Sequence, residues 1–139
     1  MLKNKTAIIS GGTRGIGRAI LLELAREGVN LSFNYLRSKG AAEELERELG
    51  SFGIKVKAYQ VDIRDFDAVS QWVKDTKEYF GGLDIVINNA GIIIDKALAL
   101  MEKKDWQSVI DTNLNGIFNL THAAIITLLK QKRGDIIRS

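Results

Sequence analysis

Three glycines, Gly11, Gly15 and Gly17, stand where a short apolar run meets a helical pattern. The run Thr6-Ala7-Ile8-Ile9-Ser10 is rich in β-branched residues and reads as a buried strand. Beyond the glycines, Ile16, Ala19, Ile20, Leu24 and Ala25 recur at helical spacing. A glycine-rich turn lets main chain approach a ligand closely. Free N–H groups at the start of a helix, with the helix dipole behind them, favour an anion such as a pyrophosphate. Gly11, Thr13, Arg14, Gly15, Ile16 and Gly17 are therefore the first candidate binding residues. Their spacing, Gly11-x-x-x-Gly15-x-Gly17, departs from the more familiar G-x-G-x-x-G dinucleotide fingerprint.

Three further positions could complete a nucleotide site. An acidic residue about 20 positions beyond such a loop would bind a ribose 2′-hydroxyl. Here that place is held by Arg37, in Tyr35-Leu36-Arg37-Ser38, and no carboxylate follows until Glu43. An arginine suits the 2′-phosphate of NADP, and Arg14 could approach the same phosphate. A carboxylate at Asp62, in Val61-Asp62-Ile63, could accept from an adenine amino group or simply cap a turn. In Asn88-Asn89-Ala90-Gly91, two asparagines could tie neighbouring main-chain segments together, and Ala90 and Gly91 leave room beside a ribose.

The elements that must position these residues alternate strand and helix throughout. Strands are expected at 30–35, 55–60 and 85–87, with a fifth beginning at 135. Helices are expected at 39–52, from about 65 to 80, around 102–111 and at 113–132. Ala42, Leu45, Leu49 and Phe52 share one side of the second helix. Val69, Trp72, Val73, Thr76 and Phe80 share one face of the third, with Asp65 as its N-cap and Gly81-Gly82 as its stop. Such alternation predicts an α/β fold, a doubly wound, Rossmann-like parallel sheet. Right-handed crossovers give the strand order 3-2-1-4-5, breaking off at strand five. With no linker or repeat, residues 1–139 read as one dinucleotide-binding domain, incomplete at its C-terminus. Ligands of such sheets bind at the carboxyl ends of the strands, where the order reverses.

Composition narrows the function. The chain has no cysteine and one histidine, which excludes a disulfide framework, thiolate chemistry and a histidine-rich metal site. Net charge is +3 with both signs dispersed. The basic cluster Lys130, Lys132 and Arg133 reads as the solvated end of a helix, without the interleaved aromatics of a nucleic-acid surface. No apolar run approaches the ~20 residues of a membrane span, and no signal peptide is recognisable, so a cytoplasmic location is expected. The long helix carries two apolar stripes. One is Ile117, Leu120, Thr121, Ala124 and Leu128; the other is Phe118, His122, Ile125, Ile126 and Leu129. Burial on two sides follows, with His122 a packing or interface residue.

Ser-Gly-Gly-Thr-Arg-Gly-Ile-Gly at 10–17 resembles the T-G-x-x-x-G-x-G loop of the short-chain dehydrogenase/reductase family, with Ser10 in place of threonine. Asn88-Asn89-Ala90-Gly91, at the end of strand four, resembles a signature of the same family. Within it, the chain is most similar to the bacterial 3-oxoacyl-acyl-carrier-protein reductases. The segments 13–20, 88–92, Asp105-Trp106 and Asp111-Thr112-Asn113-Leu114 carry that likeness, while Ile93 departs from a common threonine. The resemblance implies NADPH as cofactor and an acyl-carrier-protein-bound or small-molecule substrate. It also implies a homo-tetramer built through the long helix. It assigns Asp62 and Ile63 to the adenine, and Asn113 to a water in the catalytic proton relay; on residue type alone, Asn113 is a helix N-cap or a kink.

The resemblance also shows what this stretch leaves out. The family's catalytic serine would fall after position 139, Arg138 stands where an asparagine is expected, and Ser139 aligns with an isoleucine. Tyr35, Tyr59 and Tyr79 are read as lying outside the family's Tyr-x-x-x-Lys motif. The expected activity is reduction of a 3-oxoacyl thioester in fatty-acid synthesis, with the 139-residue chain itself inactive. A short-chain dehydrogenase of a sugar alcohol, steroid or small ketone, and a non-catalytic nucleotide-binding fragment, are the alternatives.

Overall fold

Among the described residues, nine elements follow one another in the order anticipated from the alternation: β1 (Thr6–Ser10), α1 (Gly15–Arg26), β2 (Asn30–Tyr35), α2 (Lys39–Gly50), β3 (Val56–Gln60), α3 (Phe66–Phe80), β4 (Ile85–Asn88), α4 (Gly116–Gln131) and β5 (Asp135–Arg138). They are those of a computed structural model, which describes residues 2–13, 15–89, 116–131 and 135–138. The expected helix at 102–111 lies outside the described residues, as do the first residues of the expected long helix.

The strands form one parallel sheet in the order β3-β2-β1-β4-β5. The register pairs Ile8 with Ser32 on one side and with Val86 on the other. Strand alternation divides the core in two. Ala7, Ile9, Leu31, Phe33, Ile85 and Ile87 face α1 and α2, meeting Leu21, Ala25, Ala42, Leu45 and Leu49. Ile8 and Val86 face the other way, toward Val69, Trp72 and Val73 of α3 and Leu120, Ala123 and Ala124 of α4. A strand covered on both faces reads as a continuous apolar run, and every residue of β1 is buried accordingly.

Local signals set the ends of α3 as expected. Asp65 accepts from Ala68 N at 3.1 Å, and Gly81 closes the helix by donating to Lys77 O at 2.8 Å. Two helical faces differ from expectation. On α1 the buried stripe is Gly17, Leu21 and Ala25, whereas Ile16 is 72% exposed and Ala19 is also exposed. Leu21 lies one position beyond Ile20 and fills the space over Gly12 and Phe33. On α2 the helix ends at Gly50, so Phe52 falls outside it and is exposed.

β3 forms one margin of the sheet. Leu31 N donates to Lys55 O and Val61 N to Tyr35 O, so by alternation Ala58 N points away from β2. Glu46 Oε2, on α2, accepts from it at 2.7 Å. Along the same strand the Lys57 ammonium lies 4.7 Å from the Tyr79 ring centre and 5.2 Å from that of Tyr59.

A polar triad is sealed under α3. Trp72 Nε1 donates to Ser32 Oγ at 3.0 Å, and Ser32 and Thr76 hydroxyls share a hydrogen bond of 2.8 Å. All three residues are essentially inaccessible to water. Ser32→Ala would leave the indole N–H and the Thr76 hydroxyl without this partner, which should cost about 1–3 kcal/mol. Urea unfolding checks this. Ser32→Ala should cost less when measured in a Trp72→Phe background, which lacks the indole donor.

Candidate functional site

At the carboxyl end of β1 the chain leaves the sheet through Gly11, whose φ of +73° is a left-handed conformation favouring glycine. Both polar groups of Gly11 are held by asparagines from the flanking strands. Its N–H donates to Asn34 Oδ1, near the end of β2, at 2.9 Å. Its carbonyl accepts from Asn89 Nδ2, just beyond β4, at 3.0 Å. Gly17 lies directly against this anchor: a Cβ there would collide with Gly11 O and Asn89 Nδ2. The first turn of α1 therefore sits as close to the β1 exit as main chain allows. Around Gly15 the space is open: among the described residues, its chain neighbours and own helix apart, nothing lies within 4 Å of where a side chain would begin. A helix N-terminus facing open space beside fixed main chain could hold a diphosphate through its N–H groups.

The β4 exit is tied to the same loop. Asn89 N donates to Ser10 Oγ at 3.0 Å, and Asn88 Nδ2 donates to Thr121 Oγ1 of α4 at 3.2 Å. Asn89 thus ties the β4 exit to the main chain of the glycine loop, whereas Asn88 reaches a side chain of α4 rather than a main-chain segment.

On the other flank, β2 and β3 end side by side. Asn34 Nδ2 donates to Val61 O at 3.0 Å, and Gln60 Nε2 to Leu36 O at 3.2 Å. Arg37 follows in an exposed turn closed by Lys39 N to Arg37 O at 3.0 Å. Asp62 caps its turn by accepting from Arg64 N at 3.0 Å, and it binds the Arg64 guanidinium through both carboxylate oxygens at 3.1 and 2.9 Å. Those side-chain hydrogen bonds hold its carboxyl below the usual carboxylate range, and the Arg37 charge adds to the effect. Arg37 and Asp62 therefore share one corner. Ile63 is buried; its carbonyl accepts from Asn119 Nδ2 at 3.0 Å, and Gly116 packs against its side chain.

Of the residues singled out from sequence, Gly11, Thr13, Gly15, Ile16, Gly17 and Asn89 converge at the β1 and β4 exits, while Arg37, Asp62 and Ile63 gather at those of β2 and β3. Arg14, Ala90, Gly91 and Asn113 lie outside the described residues, as do 92–94 and 105–112. Asn34 and Asn119 were not foreseen; both are polar residues buried where their elements face inward.

One reading of the tyrosines needs correction. Tyr35 and Lys39 do have the spacing Tyr-x-x-x-Lys. Tyr35 ends β2 while Lys39 opens α2, so the pair does not share a helical face, and Lys39 Nζ lies 3.9 Å from Glu43. Tyr59 packs against the core under α3, where burial pushes its phenol up to about 12. Among the described residues no group of acidic and histidine side chains could hold a metal, and no helix is long and apolar enough to cross a membrane.

Known proteins share this arrangement. The family profile for short chain dehydrogenase matches residues 5–138. The chain is 42% identical over 137 residues to the 3-oxoacyl-[acyl-carrier-protein] reductase FabG of Staphylococcus aureus, covering 99% of this chain and 56% of that protein. It is 40% identical over 136 residues to the 3-oxoacyl-[acyl-carrier-protein] reductase of Synechocystis, covering 98% and 55%. Among solved structures, a short-chain type dehydrogenase/reductase from Mycobacterium marinum superposes with a TM-score of 0.89 at 30% identity, covering 99% of this chain and 56% of that one. A short chain dehydrogenase from Burkholderia cenocepacia, solved in complex with NADP, gives 0.86 at 31% identity, covering 99% and 55%. The chain thus spans little more than half the length of these relatives. With a family profile that matches it nearly end to end, the chain belongs to the short-chain dehydrogenase family.

Proposed function

We propose that residues 1–139 form the dinucleotide-binding domain of an NADPH-dependent reductase acting on a 3-oxoacyl thioester carried by acyl-carrier protein. The observation that carries the cofactor reading is the Gly11 anchor. Its main chain is fixed by Asn34 and Asn89, Gly17 leaves room for the helix start, and the space around Gly15 is open. The relatives' names and about 40% identity support the substrate class.

In this reading the N–H groups around Gly11, Thr13, Arg14, Gly15, Ile16 and Gly17 hold the diphosphate. Asp62 and Ile63 border the adenine, with Asp62 kept ionised by Arg64. Arg37, joined by Arg14, takes the 2′-phosphate through charge and bidentate hydrogen bonds. Asn89, Ala90 and Gly91 pass along the ribose, and Asn113 orders a water of the proton relay. Bound NADPH would supply the hydride that reduces the ketone. The carbonyl oxygen gains charge as this occurs and needs a proton donor within hydrogen-bond reach. An asparagine amide polarises a carbonyl without releasing a proton near neutral pH, and Tyr59 is half-buried on the edge strand β3, packed against the α3 side of the sheet.

The exposed stripe of α4 supports a homo-tetramer. Phe118, Ile125, Ile126 and Leu129 are 57%, 42%, 46% and 70% exposed, and the rings of His122, Phe66 and Phe118 form a triangle, His122 stacked on Phe118 at 5.4 Å and tilted against Phe66 at 5.3 Å. Contiguous apolar surface of this kind marks a contact site.

Three measurements test the proposal. Fluorescence titration should show tighter binding of NADPH than of NADH, and Arg37→Asp should reverse the order; equal affinities in the unaltered chain reject the NADP assignment. Light scattering should show an oligomer that Ile125→Glu converts to monomers or aggregates, and an unchanged monomeric mass rejects the interface. The 139-residue chain should bind NADPH yet leave it unoxidised in the presence of an acetoacetyl thioester, since a lost general acid alone costs about 10²–10⁴-fold. Robust turnover would place the chemistry elsewhere.

A further inference from the structure

Asn34 touches both halves of the proposed nucleotide site. Its carboxamide is buried, 6% exposed, near the end of the strand between β1 and β3. Oδ1 accepts from Gly11 N, in the glycine loop, at 2.9 Å. Nδ2 donates to Val61 O, immediately before Asp62 and Ile63, at 3.0 Å. The two partners stand 23 residues before and 27 residues after Asn34. The main chain supplies a separate tie, Val61 N to Tyr35 O at 3.0 Å, so the carboxamide is not needed merely to pair β3 with β2.

A planar amide offers one acceptor and donors within a single rigid group. A carboxylate could serve Gly11 and not Val61 O; an aliphatic side chain could serve neither. We propose that Asn34 is a positioning residue that couples the diphosphate loop to the adenine wall. Ordering either segment fixes the amide plane and so sets the other. Filling both ends with one dinucleotide is then more favourable than two independent contacts would make it. Coupling of this kind typically spans about 5–150-fold in affinity. The inference rests on the dinucleotide reading above.

Titration calorimetry on the 139-residue chain tests it with two probes. NADPH engages both segments; adenosine 2′-monophosphate engages the adenine wall and the Arg37 corner without reaching Gly11. Asn34→Leu should weaken NADPH about tenfold or more and leave adenosine 2′-monophosphate within about twofold. Should that variant fail to fold by circular dichroism, Asn34→Ala, which removes both contacts without adding bulk or charge, should show the same split. Equal weakening of both probes would make Asn34 a general strut and overturn the coupling, as would an unchanged NADPH affinity in a folded variant. Failure of the unaltered chain to bind NADPH would overturn the dinucleotide reading and this inference together. NADPH binding by the unaltered chain with no split in the variants would overturn the coupling alone.

Discussion

The closeness of Gly17 to Gly11 is the constraint on which the rest of this structure depends. No side chain fits between the first turn of α1 and the carbonyl that ends β1. That contact sets the depth at which α1 lies on the sheet, and with it the stripe the helix buries. Gly17, Leu21 and Ala25 follow at intervals of four and face inward together. Ile16, beside Gly17, is then turned to solvent at the mouth of the site. A larger residue at 17 would lift the helix away from the sheet and break the junction between packing and binding at once. Here the core and the site are one construction.

Much of this was legible in the sequence, because its signals are local. Strand-like runs alternating with helical spacing predicted the parallel sheet, and the handedness of crossovers predicted its order. Asp65 and Gly81 marked the ends of α3 through their own short-range chemistry. The packed face of α1 was not legible in the same way. Ile16 and Ile20 are as apolar as Leu21, and composition alone cannot orient a helix whose rotation is fixed by one close approach.

Asn34 and Asn119 were hidden for a different reason. Each reads as an ordinary polar residue, and nothing nearby in sequence names its partner. Asn34 answers main-chain groups of two other strand exits; Asn119 answers Ile63 O from a helix 56 residues further on. Their meaning exists only once the sheet brings distant exits together. A buried amide costs free energy unless it is satisfied, so its placement is informative in the fold while silent in the sequence. Asn89 stood out beforehand because its neighbours Asn88, Ala90 and Gly91 form a recognisable pattern, whereas Asn34 has no such company.

The treatment of β3 has a consequence for how the molecule is made. Glu46 occupies the outward N–H of Ala58, and Lys57 lies over the Tyr59 and Tyr79 rings beside the strand. A foreign strand arriving there would have to displace a charged hydrogen bond and desolvate an ammonium group. The Glu46–Ala58 contact lies within the first 60 residues, while the Tyr79 ring under Lys57 arrives later with α3. Subsequent strands join on the opposite flank, β4 beside β1 and then β5 beside β4. Once β3 is in place, growth continues on the β1 side alone, and the open border there passes from β1 to β4 and then to β5.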